Sequence, residues 1–240
     1  MTAMDERIKK VIENANMTKN IVFHTKNTKF GMQNFQKSDI VNIENNTNYK
    51  KIVAIGTSTG GPKSLQEIIP KIPGNIPAAF LIVQHMPAGF TKSLAERLNS
   101  ISELTVKEAE DGEIVRAGYV YIAPGNFHML VKKIDGKLKI RLSDGPPVRG
   151  HRPSIDAMLN SLSKTGINDI VAIIMTGMGA DGSEGIVNIK MKNNGFIIAQ
   201  DEKTSVIYGM PKAAFETGVV DFVLPLQEIA SQITKIVGVF

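Results

Sequence analysis

The chain has no cysteine, no tryptophan, and only 4 tyrosines and 10 phenylalanines among its 240 residues. Without cysteine there are no disulfides, no thiolate nucleophile and no thiolate metal site. With so few aromatics, the core must be built from aliphatic side chains. No apolar run approaches the roughly 20 residues that span a bilayer. The first ten residues are charged rather than apolar, so no secretory signal is visible. The expectation is a soluble, cytoplasmic protein that does not insert into membranes.

Charge of one sign is also scarce where it would matter. The net charge is +5, but residues 1–50 hold eight Lys/Arg against five Asp/Glu, and the remainder holds twenty against eighteen. The larger part is nearly neutral and has no basic stripe with interleaved aromatics, so nucleic acid is not an expected partner.

The length allows one large domain, or one domain with an appendage. Residues 1–49 are rich in Asn and Lys, and residues 42–50 read as a polar linker. Residues 5–14 could form an amphipathic helix and residues 21–23 a short strand. The segment is expected to be a tail, or else a docking or regulatory arm. From residue 50 to 240 strand and helix signals alternate, the pattern of a parallel sheet with crossover helices. Strands are expected at 51–56, 78–84, 104–107, 119–123, 170–176, 195–200 and 221–224. Helices are expected at 62–70, 91–100, 154–163, 183–193, 211–217 and 226–237. Two β-branched segments, 129–133 and 137–142, flank Asp135-Gly136 and predict an antiparallel hairpin. The fold class is therefore α/β, a doubly wound, mostly parallel sheet carrying a β-hairpin insertion.

Chemistry concentrates at three strand ends. Gly56-Thr57-Ser58-Thr59-Gly60-Gly61 follows the apolar run 52–55, and a tight strand-to-helix turn of this kind exposes a hydroxyl. His85 follows the run 79–83, and Asp181 follows 170–175. Open α/β sheets gather ligands at the carboxyl ends of their strands. A serine needs a neighbouring base to act as a nucleophile, a histidine can supply it near neutral pH, and a carboxylate fixes the tautomer. Each residue also has a plainer reading. Ser58 and Asp181 also read as helix caps, and His85 as a polar strand end. Asp201 follows a strand as well, so spacing leaves the third member as Asp181 or Asp201. The N–H of Thr59, with a second donor from the loop Thr176-Gly177-Met178-Gly179, could hold an oxyanion.

Other classes match less well. Ser58 replaces the middle glycine of the G-x-G-x-x-G turn, and Gln84-His85 stands where an acidic ribose ligand belongs, so dinucleotide binding is disfavoured. His24, His85, His128 and His151 show no ligand-like spacing, so no metal or cofactor is expected. The order Ser, His, acid also differs from the α/β-hydrolase order of Ser, acid, His.

Five motifs taken together resemble the catalytic domain of the bacterial chemotaxis protein-glutamate methylesterase family, CheB. They are Gly56 through Pro62, Gln84-His85-Met86-Pro87, His151-Arg152-Pro153-Ser154-Ile155-Asp156, Thr176 through Gly182, and Ala199-Gln200-Asp201 with Gly209-Met210-Pro211-Lys212. The resemblance runs from about residue 51 to the C-terminus. It implies a serine hydrolase that releases methanol from glutamyl methyl esters on the cytoplasmic helices of chemoreceptors, and that deamidates receptor glutamines. It implies Ser58 as nucleophile, His85 as base and Asp181 as orienting acid, with backbone amides of Thr59 and Met178 as the oxyanion hole. Members commonly carry an N-terminal receiver domain, for which residues 1–49 are too short; control by phosphorylation is therefore not expected. The competing expectation is an adaptor of the same fold that binds receptor helices without turnover.

Overall fold

The computed structural model describes residues 49–238. The expected helix at 5–14 and strand at 21–23 lie outside them. The described chain forms a seven-stranded sheet in which every pairing is parallel. Its strands are β1 (Lys51–Thr57), β2 (Ala78–Gln84), β3 (Thr105–Glu108), β4 (Tyr119–Ile122), β7 (Ile170–Ile174), β8 (Phe196–Gln200) and β9 (Phe222–Leu224), in spatial order β3-β4-β2-β1-β7-β8-β9. Between β4 and β7 the chain leaves the sheet to make the antiparallel hairpin of β5 (His128–Ile134) and β6 (Lys137–Ser143). Asp135 and Gly136 turn it with φ of 52° and 75°, the two positive values a type I′ turn demands.

The helices are α1 (Gly61–Ile68), α2 (Phe90–Ile101), α3 (Ile155–Leu162), α4 (Ser183–Asn193), α5 (Met210–Glu216) and α6 (Leu226–Val237). A 3-10 turn at Ile69–Lys71 follows α1, where Pro70 cannot continue the α-helical bonding. No helix among the described residues is long and apolar enough to cross a membrane.

Two cores follow from the period of two along a strand. Val53 and Ile55 face one side, packing with Leu65 and Ile68 of α1, Leu98 of α2 and Ile233 of α6. Ile52 and Ala54 face the other, packing with Met158 and Leu162 of α3, Ile186 of α4 and Ala214 of α5. Met129, Val131, Leu138 and Ile140 of the hairpin join this second core. Strands covered on both faces must be apolar throughout, which is why β1, β2 and β7 read as continuous hydrophobic runs.

The expected and observed elements differ mainly at their ends. The strand expected at 170–176 stops at Ile174, and the Thr176 N–H bonds the side chain of Gln200 at 2.9 Å. Ser154, expected inside a helix, is the extended N-cap of α3.

Candidate active site

β1 is the strand where the winding reverses: β2 and β4 continue to one side, β7 and β8 to the other. The crevice beyond the carboxyl ends at such a point is the natural binding place in a doubly wound sheet. Ser58 is the first residue past β1 and His85 the first past β2. Their predecessors Thr57 and Gln84 are register partners. The spacing of adjacent strands, about 4.8 Å, therefore sets the separation of the two backbones. Ser58 N–H donates to the Thr176 carbonyl at 3.0 Å, and Ser58 O accepts from Gly61 N–H at 2.8 Å, which turns the chain into α1. The N-cap of α1 is Gly60, with no side-chain cap bond, so the Ser58 hydroxyl is not a cap. Ser58 is half-buried and Thr59 exposed.

His85 and Asp181 come together directly. His85 Nε2 lies 2.7 Å from Asp181 Oδ2, with both side chains almost fully buried. Asp181 does not cap α4, whose N-cap is Gly182. Instead its carboxylate meets the N-terminus of α3. Oδ2 accepts from Ile155 N–H at 2.7 Å, and Oδ1 accepts from Asp156 N–H and from Ser154 Oγ, both at 2.9 Å. Burial works to raise the Asp181 carboxyl, but hydrogen bonds from His85, Asp156 and Ile155 outweigh it and hold it below the ordinary carboxylate value. An ionised Asp181 makes Nε2 the protonated ring nitrogen, which leaves the lone pair on Nδ1. Nδ1 is buried and has no hydrogen-bond partner among the described residues. The Ser58 hydroxyl is not bonded to it here; such contacts are often long without substrate. Asp201 is elsewhere engaged, its Oδ1 accepting from Thr204 N–H at 3.0 Å in a local turn.

Thr59 and Met178 flank the serine on two loops. Thr176 ties these loops together: its Oγ1 donates to Thr59 O at 2.9 Å and accepts from Ile207 N–H at 3.0 Å. Among the described residues neither Thr59 N–H nor Met178 N–H has a hydrogen-bond partner. The Met178 side chain is exposed at the rim.

Several residues of the site carry no sequence signal of their role. His151 stacks on His85 with ring centroids 3.9 Å apart and planes 7° from parallel. Burial and the neighbouring His85 push the His151 imidazole below its ordinary value, although Asp181 works against them. Asp156 is a second buried carboxylate, accepting from Gly185 N–H at 2.8 Å through Oδ1, with Arg149 Nε 3.4 Å from Oδ2. Burial, with the charge of Asp181 behind it, pushes Asp156 up to about 6. Asp181, with four donors, is the better home for the negative charge. The motif His151 through Asp156 was the only available signal for His151 and Asp156, and a motif alone does not say that it wraps a carboxylate.

Known proteins share this arrangement of elements. The family model described as CheB methylesterase matches residues 53–233. A protein of Geobacillus kaustophilus named protein-glutamate methylesterase/protein-glutamine glutaminase is 48% identical over 187 residues, covering 78% of this chain and 54% of that protein. A Pyrococcus horikoshii protein of the same name is 51% identical over 187 residues, covering 78% and 50%. The chain thus spans about half the length of the curated relatives it matches. The crystal structure of the Thermotoga maritima CheB methylesterase catalytic domain superimposes with a TM-score of 0.75 at 48% identity, covering 79% of this chain and 98% of that domain. With a family model over most of its residues and a solved domain matched nearly end to end, this chain belongs to the CheB methylesterase family.

Proposed function

We propose that this chain is a serine esterase that removes methyl groups from glutamyl methyl esters of chemoreceptors, releasing methanol, and that the same site deamidates receptor glutamines. The observation that carries the reading is the buried His85–Asp181 pair beside Ser58 at the reversal point of the sheet. The names of the relatives support the two activities.

In the reaction, Ser58 Oγ attacks the ester carbonyl carbon while His85 Nδ1 takes its proton. Asp181 stabilises the imidazolium that forms and keeps the ring in place. The oxyanion is received by the N–H groups of Thr59 and Met178, which are free to turn towards it. Collapse of the tetrahedral intermediate breaks the bond to the methoxy oxygen, and Nδ1 returns the proton so that methanol leaves. Water, deprotonated by the same nitrogen, then attacks the acyl-serine and restores Ser58 with a free glutamate. A glutamine substrate follows the same course with ammonia as the leaving group.

The half-buried serine opens between exposed Thr59 and Met178. Such an open rim suits an ester displayed on a protein surface better than a small free molecule. The proposed substrate is accordingly a cytoplasmic helix of a methyl-accepting receptor, which places the enzyme in the cytoplasm. An adaptor that only binds these helices has no physical need for the desolvated, four-donor carboxylate behind His85.

The test is methanol release from a methylated receptor cytoplasmic fragment, comparing the chain with Ser58→Ala. The expected outcome is turnover by the first and none by the folded variant. Release that persists in Ser58→Ala rules out the mechanism, and no release by either protein rules out the substrate.

A further inference from the structure

Gln84, the last residue of β2, is 2% exposed, and all the hydrogen-bonding capacity of its amide that the site uses is directed at neighbours of the reacting groups. Its Oε1 accepts from Thr57 Oγ1 at 2.6 Å. Its Nε2 donates at 3.0 Å to the carbonyl of Ser58 and at 3.0 Å to the carbonyl of His85. The orientation of the amide is fixed: turned the other way, Oε1 would face two carbonyl oxygens, which have no proton to offer. One side chain therefore binds the peptide groups of both the serine and the histidine, on different strands.

The position of this contact gives it its meaning. The β1–β2 register ends at Thr57↔Gln84, and His85 N–H makes the last backbone bond, to Thr57 O, at 3.1 Å. Beyond it Ser58 N–H turns away to Thr176 on the β7 side. Backbone pairing no longer relates Ser58 to His85, and the Gln84 amide supplies one further rung. The second glycine of Gly60-Gly61 belongs to this device as well. A Cβ at Gly61 would sit 2.0 Å from Gln84 Oε1 and 2.7 Å from Thr57 Oγ1, so any side chain there expels the amide.

We propose that Gln84, oriented by Thr57 and given room by Gly61, is a positioning residue that sets the separation of the Ser58 nucleophile and the His85 base. The inference rests on the reading of those two residues given above. A positioning role and a role in stability alone differ in what they move. Misplacing a nucleophile from its base by about 1 Å lowers the chemical step by about 100-fold while leaving substrate affinity in place. Loss of stability alone lowers the number of active molecules and leaves each of them as fast as before.

The experiment uses the full chain and counts active sites by saturation with a fluorophosphonate, which labels an activated serine. It measures the labelling rate, and kcat and KM for methanol release, per labelled site. Gln84→Met, which keeps the volume and removes the hydrogen bonds, is expected to lower kcat and the labelling rate by about 100-fold with KM within about twofold. Gln84→Glu can still accept from Thr57 but offers the two carbonyls no proton, and it should do no better. Thr57→Ser should retain the wild-type rate, and Thr57→Val should lose about tenfold. Should Gln84→Met not fold, the Thr57 pair decides. A wild-type rate per labelled site in Gln84→Met, or equal rates in Thr57→Ser and Thr57→Val, overturns the positioning role. Ser58→Ala separates the two levels: labelling or turnover in that variant defeats the nucleophile assignment itself. An inert Ser58→Ala beside an unimpaired Gln84→Met defeats only the inference about Gln84.

Discussion

Removing the hydroxyl of Ser154 should both weaken the fold and loosen its hold on Asp181. Ser154 is fully buried, and its Oγ has two roles. It accepts from Ala157 N–H at 3.2 Å as the N-cap of α3, and it donates to Asp181 Oδ1 at 2.9 Å. Losing an N-cap oxygen costs about 1 kcal/mol. Losing a hydrogen bond to an ionised group costs about 1.5–3 kcal/mol. The two share one atom and overlap, so Ser154→Ala is expected to destabilise by about 3 kcal/mol, a large share of the roughly 5–15 kcal/mol typical of a domain. The pH dependence has a definite sign. Burial would raise the Asp181 carboxyl, but its donors hold it below the unfolded value, so its contribution is present above about pH 4 and is lost as pH falls through the folded pKa. With one donor gone, the carboxyl rises and acid unfolding begins at higher pH. Urea unfolding at pH 7 and an acid titration, both followed by circular dichroism, measure the two effects. A variant within about 0.5 kcal/mol of the parent with the same acid midpoint would refute the claim that Ser154 holds Asp181.

Asp156, raised by burial to about 6, behaves in the opposite sense: its stabilising contribution is complete below about pH 4 and lost as pH rises through about 6. Asp156→Asn should therefore gain about 2 kcal/mol relative to the parent between pH 4.5 and 7.5 in paired urea curves, and an identical difference at both pH values would contradict the assignment. His151→Ala removes the ring stacked on His85, an interaction worth about 0.5–1.5 kcal/mol, so kcat should fall by up to about tenfold with KM unchanged. His151→Phe, which restores a ring face, should recover most of that rate; equal loss in both variants would point to the imidazole nitrogens instead.

Most of the sheet was legible because a doubly covered strand has to be an unbroken apolar run, as in 52–55, 79–83 and 170–174, and because Asp-Gly between β-branched segments has few uses other than a hairpin turn. The strand ends of Ser58 and His85 were legible for the same reason. Choosing between Asp181 and Asp201 was not a matter of spacing. It depended on whether a carboxylate reaches the N-terminus of α3, an element that begins 26 residues earlier in the chain. The clamp of Gln84 and Thr57 was hidden because a buried glutamine and threonine at strand ends look like ordinary polar punctuation. Their direction appears only when β1 and β2 are side by side. His151 was visible as part of a motif and silent as chemistry, since stacking between rings 66 positions apart leaves no local trace.

The place of β1 in the sheet also bears on how the protein is made. As the chain emerges from the ribosome, β1 can pair with β2 once residues 78–84 have appeared, but its other flank waits for β7 at 170–174. For that interval a strand with a long apolar run, 52–55, has one open edge, the feature that invites pairing with another chain. Asp181 comes later still, so its contact with His85 also waits until the chain beyond β7 has been made. A nascent chain therefore presents a sticky edge before the His85–Asp181 pair can form, and its growth is exposed to misassociation.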